Sequence, residues 1–430
     1  MSTFVGLDFG TTNSALAVAH PNRQVSIPIF PFLNKEVDTY RSVIYFSFLQ
    51  YDRDRHPKVF TGPSAIETYL EEGGEGRLMI SPKNSLANPS FETTRIQFKH
   101  YKLEEIISFL LSDLCQTATS QLGHLGKKVV AGRPVNFAGA LDDEQEALAV
   151  QRLTTALQSV GFEDIVFEYE PVAAAYHYDK SLDHDELILV ADFGGGTTDF
   201  CVMSVGPEAR QEDSSERILG TGGVGIAGDV FDSRIVHNKF SYHLGRDTQF
   251  RSQFGEVLPM PNWLYSRLNQ WYTIGLLRNK KTLSMLNDIR QNSYDPEKIE
   301  DLIHFIELEL GFYLYRSTEQ TKVSLSSELE TTFVFDELDR PISEFVERGD
   351  FEDWIHPDLA AIDYCLEDLL NRIGLHPEDI DKVFMTGGTS LVPAVRHIFE
   401  SKFGSEKVDE GDTFTSVAQG LALRALDVFG

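Results

Sequence analysis

The sequence predicts an α/β protein made of two related lobes, and three observations carry that prediction. Apolar strand candidates alternate with amphipathic stretches, the pattern of helices layered on a sheet. "DFGTT" at residues 8–12 returns as "DFGGGTT" at 192–198, each between two apolar runs. "VVAGRPVNF" at 129–137 has a counterpart in "VFMTGGTSLVPAV" at 383–395, an apolar run leading through a small-residue loop with a proline into a helix. Motif, order and flanking pattern all repeat, which is the mark of an internal duplication.

Taken in chain order, Phe4–Leu7 reads as a strand and Ser14–Ala19 as its hairpin partner. Residues 20–100 are mixed, with a strand pattern at Val43–Leu49 and a polar, glycine-rich stretch at Glu71–Gly76. From Leu103 the apolar residues Ile106, Ile107, Leu110, Leu111 and Leu114 recur three and four apart, one face of a helix that Gly123 and Gly126 end. A strand is expected over 127–137, then a helix from Asp142 to Val160 with acidic residues in its first turn. "IVFEYEPVAAAYHYD" gives a strand and a helix, and "LILVADFGGGTTDFCVMSV" restarts the pattern after an acidic break at Ser181–Glu186. Between His237 and Arg348 the patterns are helical, and the strand pattern resumes only near Thr331. The expected organisation is lobe one over 1–184, with core 1–39 and 104–184 and an outer subdomain 40–103. Lobe two covers 185–409, with core 185–236 and 331–409 and a mostly helical insertion 237–330.

Length suggests about two to four domains. The 42% hydrophobic and 11% aromatic content is that of a globular chain. Lys+Arg 38 against Asp+Glu 66 leaves a charge of -28, which repels nucleic acid and anionic membranes, so neither is expected as a partner. Cys115, Cys201 and Cys365 lie far apart without metal-ligand spacing and read as reduced thiols. With no signal-peptide pattern and no apolar run near the roughly 18 residues that span a bilayer, the expected location is cytoplasmic.

A glycine turn after a strand can present backbone N–H groups to phosphate. Thr11, Thr12, Thr197 and Thr198 add hydroxyl donors, and Asp8 and Asp192 can hold magnesium through water. Positioning and charge neutralisation are what phosphoryl transfer demands. Either turn alone favours an ordinary Asp-Gly hairpin; the pair favours the phosphate reading. No G-x-x-x-x-G-K-[ST] occurs. "GTGGVG" at 220–225 fits G-x-G-x-x-G but follows an acidic polar loop, without the strong strand a dinucleotide fingerprint needs. The next residues, 226–240, read as a helix whose N-terminus could face phosphate.

"GLDFGTTNS", "ADFGGGTTDF", "EPVAAAYHYD", "GIAGDVFDSRI", "STEQTKVSLS" and "MTGGTSLVPAV" occur in the order found in the nucleotide-binding domain of seventy-kilodalton heat-shock (DnaK-type) chaperones, which this chain resembles over nearly its whole length. The resemblance implies an actin-like ATPase (ribonuclease H-like) fold, ATP or ADP and magnesium as ligands, and hydrolysis coupled to lobe rotation. It implies a first phosphate loop with Asp8, Gly10, Thr11, Thr12 and Asn13, and a second with Asp192, Gly194, Gly195, Gly196, Thr197 and Thr198. It gives Asp199 the attacking water and the metal shell, Glu170 a water-mediated part, and Gly228 a place beside the nucleotide. Lys83 in "ISPKNSL" falls where the family has a catalytic lysine, and reads equally as a solvated surface lysine. Glu319, Lys322 and Ser326, on one helix face, would hold ribose and adenine, with Gly387, Gly388 and Thr389 closing the pocket; the plainer reading of that helix is an exposed i, i+3 ion pair.

The sequence departs from the family in places. Val323 and Leu391 stand where arginines often sandwich adenine, so cation–π stacking is lost. Thr198 replaces an aromatic residue. Pro134 matches an interdomain proline, but the arginine that usually follows is not recognisable. A segment like "SVAQGLALRAL" closes the family's nucleotide-binding domain, so 410–430 is expected to return to lobe one. No linker, β-rich peptide-binding domain or helical lid is recognisable, so a stand-alone DnaK-like ATPase is expected, any co-chaperone or other protein partner unknown. A small-molecule kinase of the same fold would instead turn over ATP only with a metabolite. A nucleotide-sensing interaction or filament protein would bind ATP with little phosphate release.

Overall fold

In a computed structural model, which describes residues 3–32, 35–212, 214–269, 271–410 and 415–430, the apolar runs become strands with both faces covered. Strand β1 (Phe4–Asp8) is buried up to Leu7. It pairs antiparallel with β2 (Asn13–Ala19), Phe4 opposite Ala19 and Asp8 opposite Ala15. With β3 (Val25–Ser26), β4 (Lys128–Arg133) and β5 (Asp164–Tyr169) they form a sheet in the order β5–β4–β1–β2–β3. The strand expected over 127–137 stops at Arg133, because Pro134 has no N–H to give a ladder.

The second sheet repeats this plan. It contains β6 (Glu186–Phe193), β7 (Thr198–Val205), β8 (Ile218–Val224), β9 (Lys382–Thr386) and β10 (Val408–Glu410), in the order β8–β7–β6–β9–β10. In each sheet the central strand has a parallel neighbour and a further parallel strand on one side, and two antiparallel strands on the other. The fold is therefore α/β with two duplicated lobes. All of "GTGGVG" but its last glycine belongs to β8, an edge strand rather than a phosphate turn.

Helix α1 (Leu103–Leu122) and helix α2 (Asp143–Ser159) cover one face of the first sheet. Ile106, Ile107, Leu110, Leu153 and Leu157 meet Val5, Leu7, Leu16 and Val18 there. The Asp142 carboxylate caps α2 by accepting the Gln145 N–H at 2.9 Å. The opposite face shows Ala15, Ala17 and Ala19, the alternate residues of β2. Against it lie α3 (Glu170–Asp179), through Ala173 and Tyr176, and the last helix, Ser416–Phe429, through Val417, Ala418, Leu421 and Ala422. Val172 and Ala175 of α3 join Ile188, Val190, Cys201 and Met203 of the second sheet, so α3 serves both cores. Where α3 crosses the last helix, a Cβ on Gly420 would lie 1.8 Å from the Ala173 carbonyl oxygen, so the two backbones touch.

The outer part of lobe one is a three-stranded sheet (43–51, 57–61 and 76–80) with a helix over 62–71. It leads through Ser81, in the left-handed region at φ 51, into a 3-10 turn at Pro82–Ser85.

Residues 1–228 and 359–430 form one compact unit, and 229–358 form another. The second unit is mostly helical. It includes α4 (Gly228–Ile235) beyond its first residue, α5 (Gly311–Ser327) and the start of α6 (Arg348–Ile373). Phe240, Phe305, Phe333 and Phe335 make its aromatic centre, with ring centroids 5.0–6.2 Å apart. The strand pattern at Thr331 is present as Glu330–Phe335, but it pairs with Ile342–Glu347 alone and not with the second sheet. Residues 331–358 thus group with this unit.

Candidate functional site

The duplication places one aspartate at or near the end of each central strand: Asp8 ends β1, and Asp192 is the last residue but one of β6. Asp199, the second residue of β7, stands directly opposite Asp192 in the ladder. Glu170 opens α3 and is buried. Lys83 comes from the 3-10 turn of the outer subdomain. It is 7% exposed and its ammonium lies 2.6 Å from Glu170 Oε1. It is not a solvated surface lysine.

Asp8 and Asp192 keep a partly accessible edge, yet burial is the largest influence on both. Burial and the neighbouring Glu170 push the Asp192 carboxyl up to about 6, although the Thr386 hydroxyl donates to it at 2.6 Å. The same two causes push Asp199 up to about 8. Asp8 also rises, from burial and from Glu170 and against the pull of Lys83. Burial would lower the Lys83 ammonium, but Glu170 and Asp8 more than offset it and hold it above the usual lysine range. Four carboxylates thus act electrostatically on one ammonium, with Glu170 in direct contact. Among the described residues no three His, Cys, Asp or Glu side chains converge as a direct ligand set. Magnesium that keeps most of its waters and takes few carboxylates fits these donors.

The two turns are both tight hairpin connections, so the hairpin reading is true as geometry and the carboxylates come in addition to it. In the first, the Gly10 carbonyl accepts from the Ser42 hydroxyl at 2.7 Å and the Thr12 carbonyl from the Ser42 N–H at 2.9 Å. Thr11 donates to Asn84 at 3.2 Å, and Asn13 begins β2 beside Arg41. In the second, Gly194 N–H closes on the Thr197 carbonyl at 2.9 Å, and Gly195 and Gly196 are half-buried between them. The Thr197 side chain hydrogen-bonds Asp199. Thr198 points inward: it is fully buried and its hydroxyl donates to the Ile226 carbonyl at 2.7 Å, so it is not a free donor in the turn. Thr389 donates to the Gly194 carbonyl at 3.4 Å. Gly387 and Gly388, which follow β9, belong to the same unit. Gly228 ends the first segment of that unit and opens α4.

Glu319, Lys322 and Ser326 lie on α5 in the second unit and are engaged there. Lys322 meets Asp232 at 2.8 Å, Ser326 donates to the Lys322 carbonyl at 3.1 Å, and Glu319 accepts from Tyr315 at 3.3 Å. Val323 and Leu391 are exposed.

Several contributors escaped the sequence reading. The Val135 N–H, just after Pro134, donates to Asp199 Oδ1 at 2.9 Å. Gly223 of "GTGGVG" faces Asp199 in the ladder, and a Cβ there would come within 2.8 Å of Asp199 Oδ1. The glycine makes room for a carboxylate. Thr386 and Asn84 adjoin residues that the motifs singled out. Ser42 has no local signal.

The "Hsp70 protein" family matches residues 83–249 and 312–428. Among curated relatives, the "Chaperone protein DnaK" of Thermosipho melanesiensis is 26% identical over 99% of this chain and 59% of its own. That of Thermus thermophilus is 26% identical over 99% of this chain and 61% of its own. That of Thermotoga maritima is 25% identical over 99% and 59%. The chain spans about three fifths of the length of these relatives.

Proposed function

The chain belongs to the Hsp70 family and has its actin-like ATPase fold, and from that premise we propose that it binds ATP with magnesium and hydrolyses it to ADP and phosphate. The observation that carries the reading is the gathering of Asp8, Asp192, Asp199 and Glu170 around Lys83 at the ends of duplicated strands. Magnesium, when bound through water near Asp8 and Asp192, supplies charge neutralisation to the phosphates.

The chain's own residues do the rest. Lys83 neutralises the terminal phosphate and stays charged because Glu170 and Asp8 hold its proton. Backbone N–H groups of the two turns, with the Thr11, Thr12 and Thr197 hydroxyls, bind the phosphate oxygens. Asp199, once ionised with the help of the Lys83 charge, takes a proton from the attacking water, and the burial and Glu170 charge that raise its carboxyl make the ionised form the stronger proton acceptor. The Val135 N–H on its Oδ1 fixes the carboxylate plane. Water oxygen bonds to the terminal phosphorus, the bond to the ADP oxygen breaks, and the proton on Asp199 leaves with phosphate or solvent. The two lobes rotate with nucleotide state, and a protein partner of the co-chaperone or client kind reads the rotation in the cytoplasm.

Calorimetry with ATP, with and without magnesium, tests the core of this reading alongside a phosphate-release assay. Binding that weakens on chelation, with slow release, is expected. No heat of binding at millimolar Mg-ATP would sink it. A pull-down with and without ATP tests the partner.

A further inference from the structure

The Asn84 side chain touches both turns. Its Oδ1 accepts the Thr11 hydroxyl at 3.2 Å in the first turn. In the second, a Cβ added to Gly196 would meet Asn84 Oδ1 at 3.0 Å and Nδ2 at 3.5 Å, so the amide lies flat against that glycine. Asn84 is half-buried and rigidly carried. Its N–H donates to the Ser81 carbonyl at 3.1 Å, and the Ser81 N–H donates to the Ser42 carbonyl at 3.0 Å. Ser42 is the residue that holds Gly10 and Thr12. The left-handed backbone at Ser81 followed by Pro82 sets the direction in which Lys83 and Asn84 leave the outer subdomain.

We propose that Asn84 positions the terminal phosphate and makes the site distinguish a nucleoside triphosphate from a diphosphate. The inference rests on the nucleotide reading above. Without nucleotide, the amide oxygen ties up the Thr11 hydroxyl and latches one turn to the other. A terminal phosphate between the turns takes over the Thr11 hydroxyl, because a charged acceptor outcompetes an amide oxygen. The freed amide then turns its N–H to the same phosphate. A diphosphate does not reach between the turns and leaves the latch closed. An asparagine suits this exchange because it is both donor and acceptor, and it adds no charge beside Lys83.

The test measures ATP and ADP affinities, both with magnesium, by calorimetry on the full chain and on Asn84→Asp and Asn84→Ala. Asn84→Asp keeps the shape and the acceptor but replaces the donor with a negative charge. It is expected to weaken ATP by roughly tenfold or more while ADP changes less than about threefold. Asn84→Ala is expected to weaken ATP by a smaller factor, again with ADP spared. A merely structural role would weaken both nucleotides alike, and that result, or an unchanged ATP-to-ADP ratio in both variants, overturns the assignment. Thermal unfolding within a few degrees of the parent confirms that each variant folds, and the near-isosteric Asp variant serves if the Ala variant does not. A parent chain that binds neither nucleotide would overturn the nucleotide reading itself; one that binds both while the variants keep its ratio would overturn only the role of Asn84.

Discussion

The two glycine turns descend from one pattern but are held in different ways. The first is braced from outside: Ser42 grips Gly10 and Thr12, and Asn84 takes Thr11. The second closes on itself through Gly194 and Thr197, with the Thr389 hydroxyl and the Asn84 amide only resting against it at longer range. Their charges differ too. Asp8 stands opposite an alanine, Ala15, whereas Asp192 stands opposite a second carboxylate, Asp199. Among the described residues, the ammonium that acts on this cluster is Lys83, from lobe one. A duplication yields a working asymmetry when one copy carries the extra carboxylate and the other carries its counter-charge and its scaffold.

The largest test of that asymmetry is Asp199→Asn. Turnover of Mg-ATP is expected to fall about 100-fold or more, measured as phosphate release, while the melting temperature without metal rises at pH 8. The rise follows because an ionised carboxyl that burial disfavours has been removed. A normal rate would place the proton acceptor elsewhere.

Lys83→Ala attacks the opposite side of the comparison. It leaves Glu170 buried without its partner, at an expected cost of about 3–5 kcal/mol in stability, read by denaturant unfolding, with a loss of turnover. An alanine variant with unchanged turnover would remove Lys83 from the site.

Acidity acts on both lobes together. Asp192 and Asp199 are held above the ordinary carboxyl value of 3.8, so the fold favours their protonated forms. The stability this gives is complete below that value and is lost as pH climbs through about 6 and then about 8. The metal-free protein should therefore lose several degrees of melting temperature between pH 5 and pH 8 from this cluster, and Mg-nucleotide should restore them. A melting temperature that rises over this interval without metal would contradict the charge excess.

The smallest effect belongs to the brace. Ser42→Ala removes the hydrogen bond to Gly10 and should cost about 1 kcal/mol while raising the KM for ATP more than it lowers kcat. The Ser42 hydroxyl bonds the first turn, while its backbone, which carries Ser81 and Asn84, is untouched by the substitution, so an equal fall in kcat would show that the two turns are not braced independently.

What could be read from the sequence was what is local or repeated. The hairpin of β1 and β2, the helix capped at Asp142 and the recurrence of "DFG" all lie in short windows, where apolar period and turn chemistry speak directly. Asp8 and Asp192 were legible for the same reason. Lys83 could not be decided, because its burial depends on Glu170, 87 residues away. Val135 acts through its backbone N–H, which leaves no residue-type signature, and the Ser42 hydroxyl finds Gly10 across 32 residues, beyond any local window. Thr198 misled because a hydroxyl in a turn motif looks like a donor to a ligand, whereas its strand position turns it toward Ile226. "GTGGVG" was set aside as a dinucleotide fingerprint, and all but its last glycine lies in a strand; what no local signal showed is that Gly223 clears space for Asp199.

The crossing at Gly420 and Ala173 bears on how tightly α3 and the last helix are joined. Most contacts between packed segments are made by side chains, which can change rotamer and absorb a small displacement. Here main chain rests on main chain, on the helix that both sheets share. Such a joint has no slack. A side chain at position 420 would therefore have to push the last helix away from α3, which makes this crossing intolerant of any residue larger than glycine.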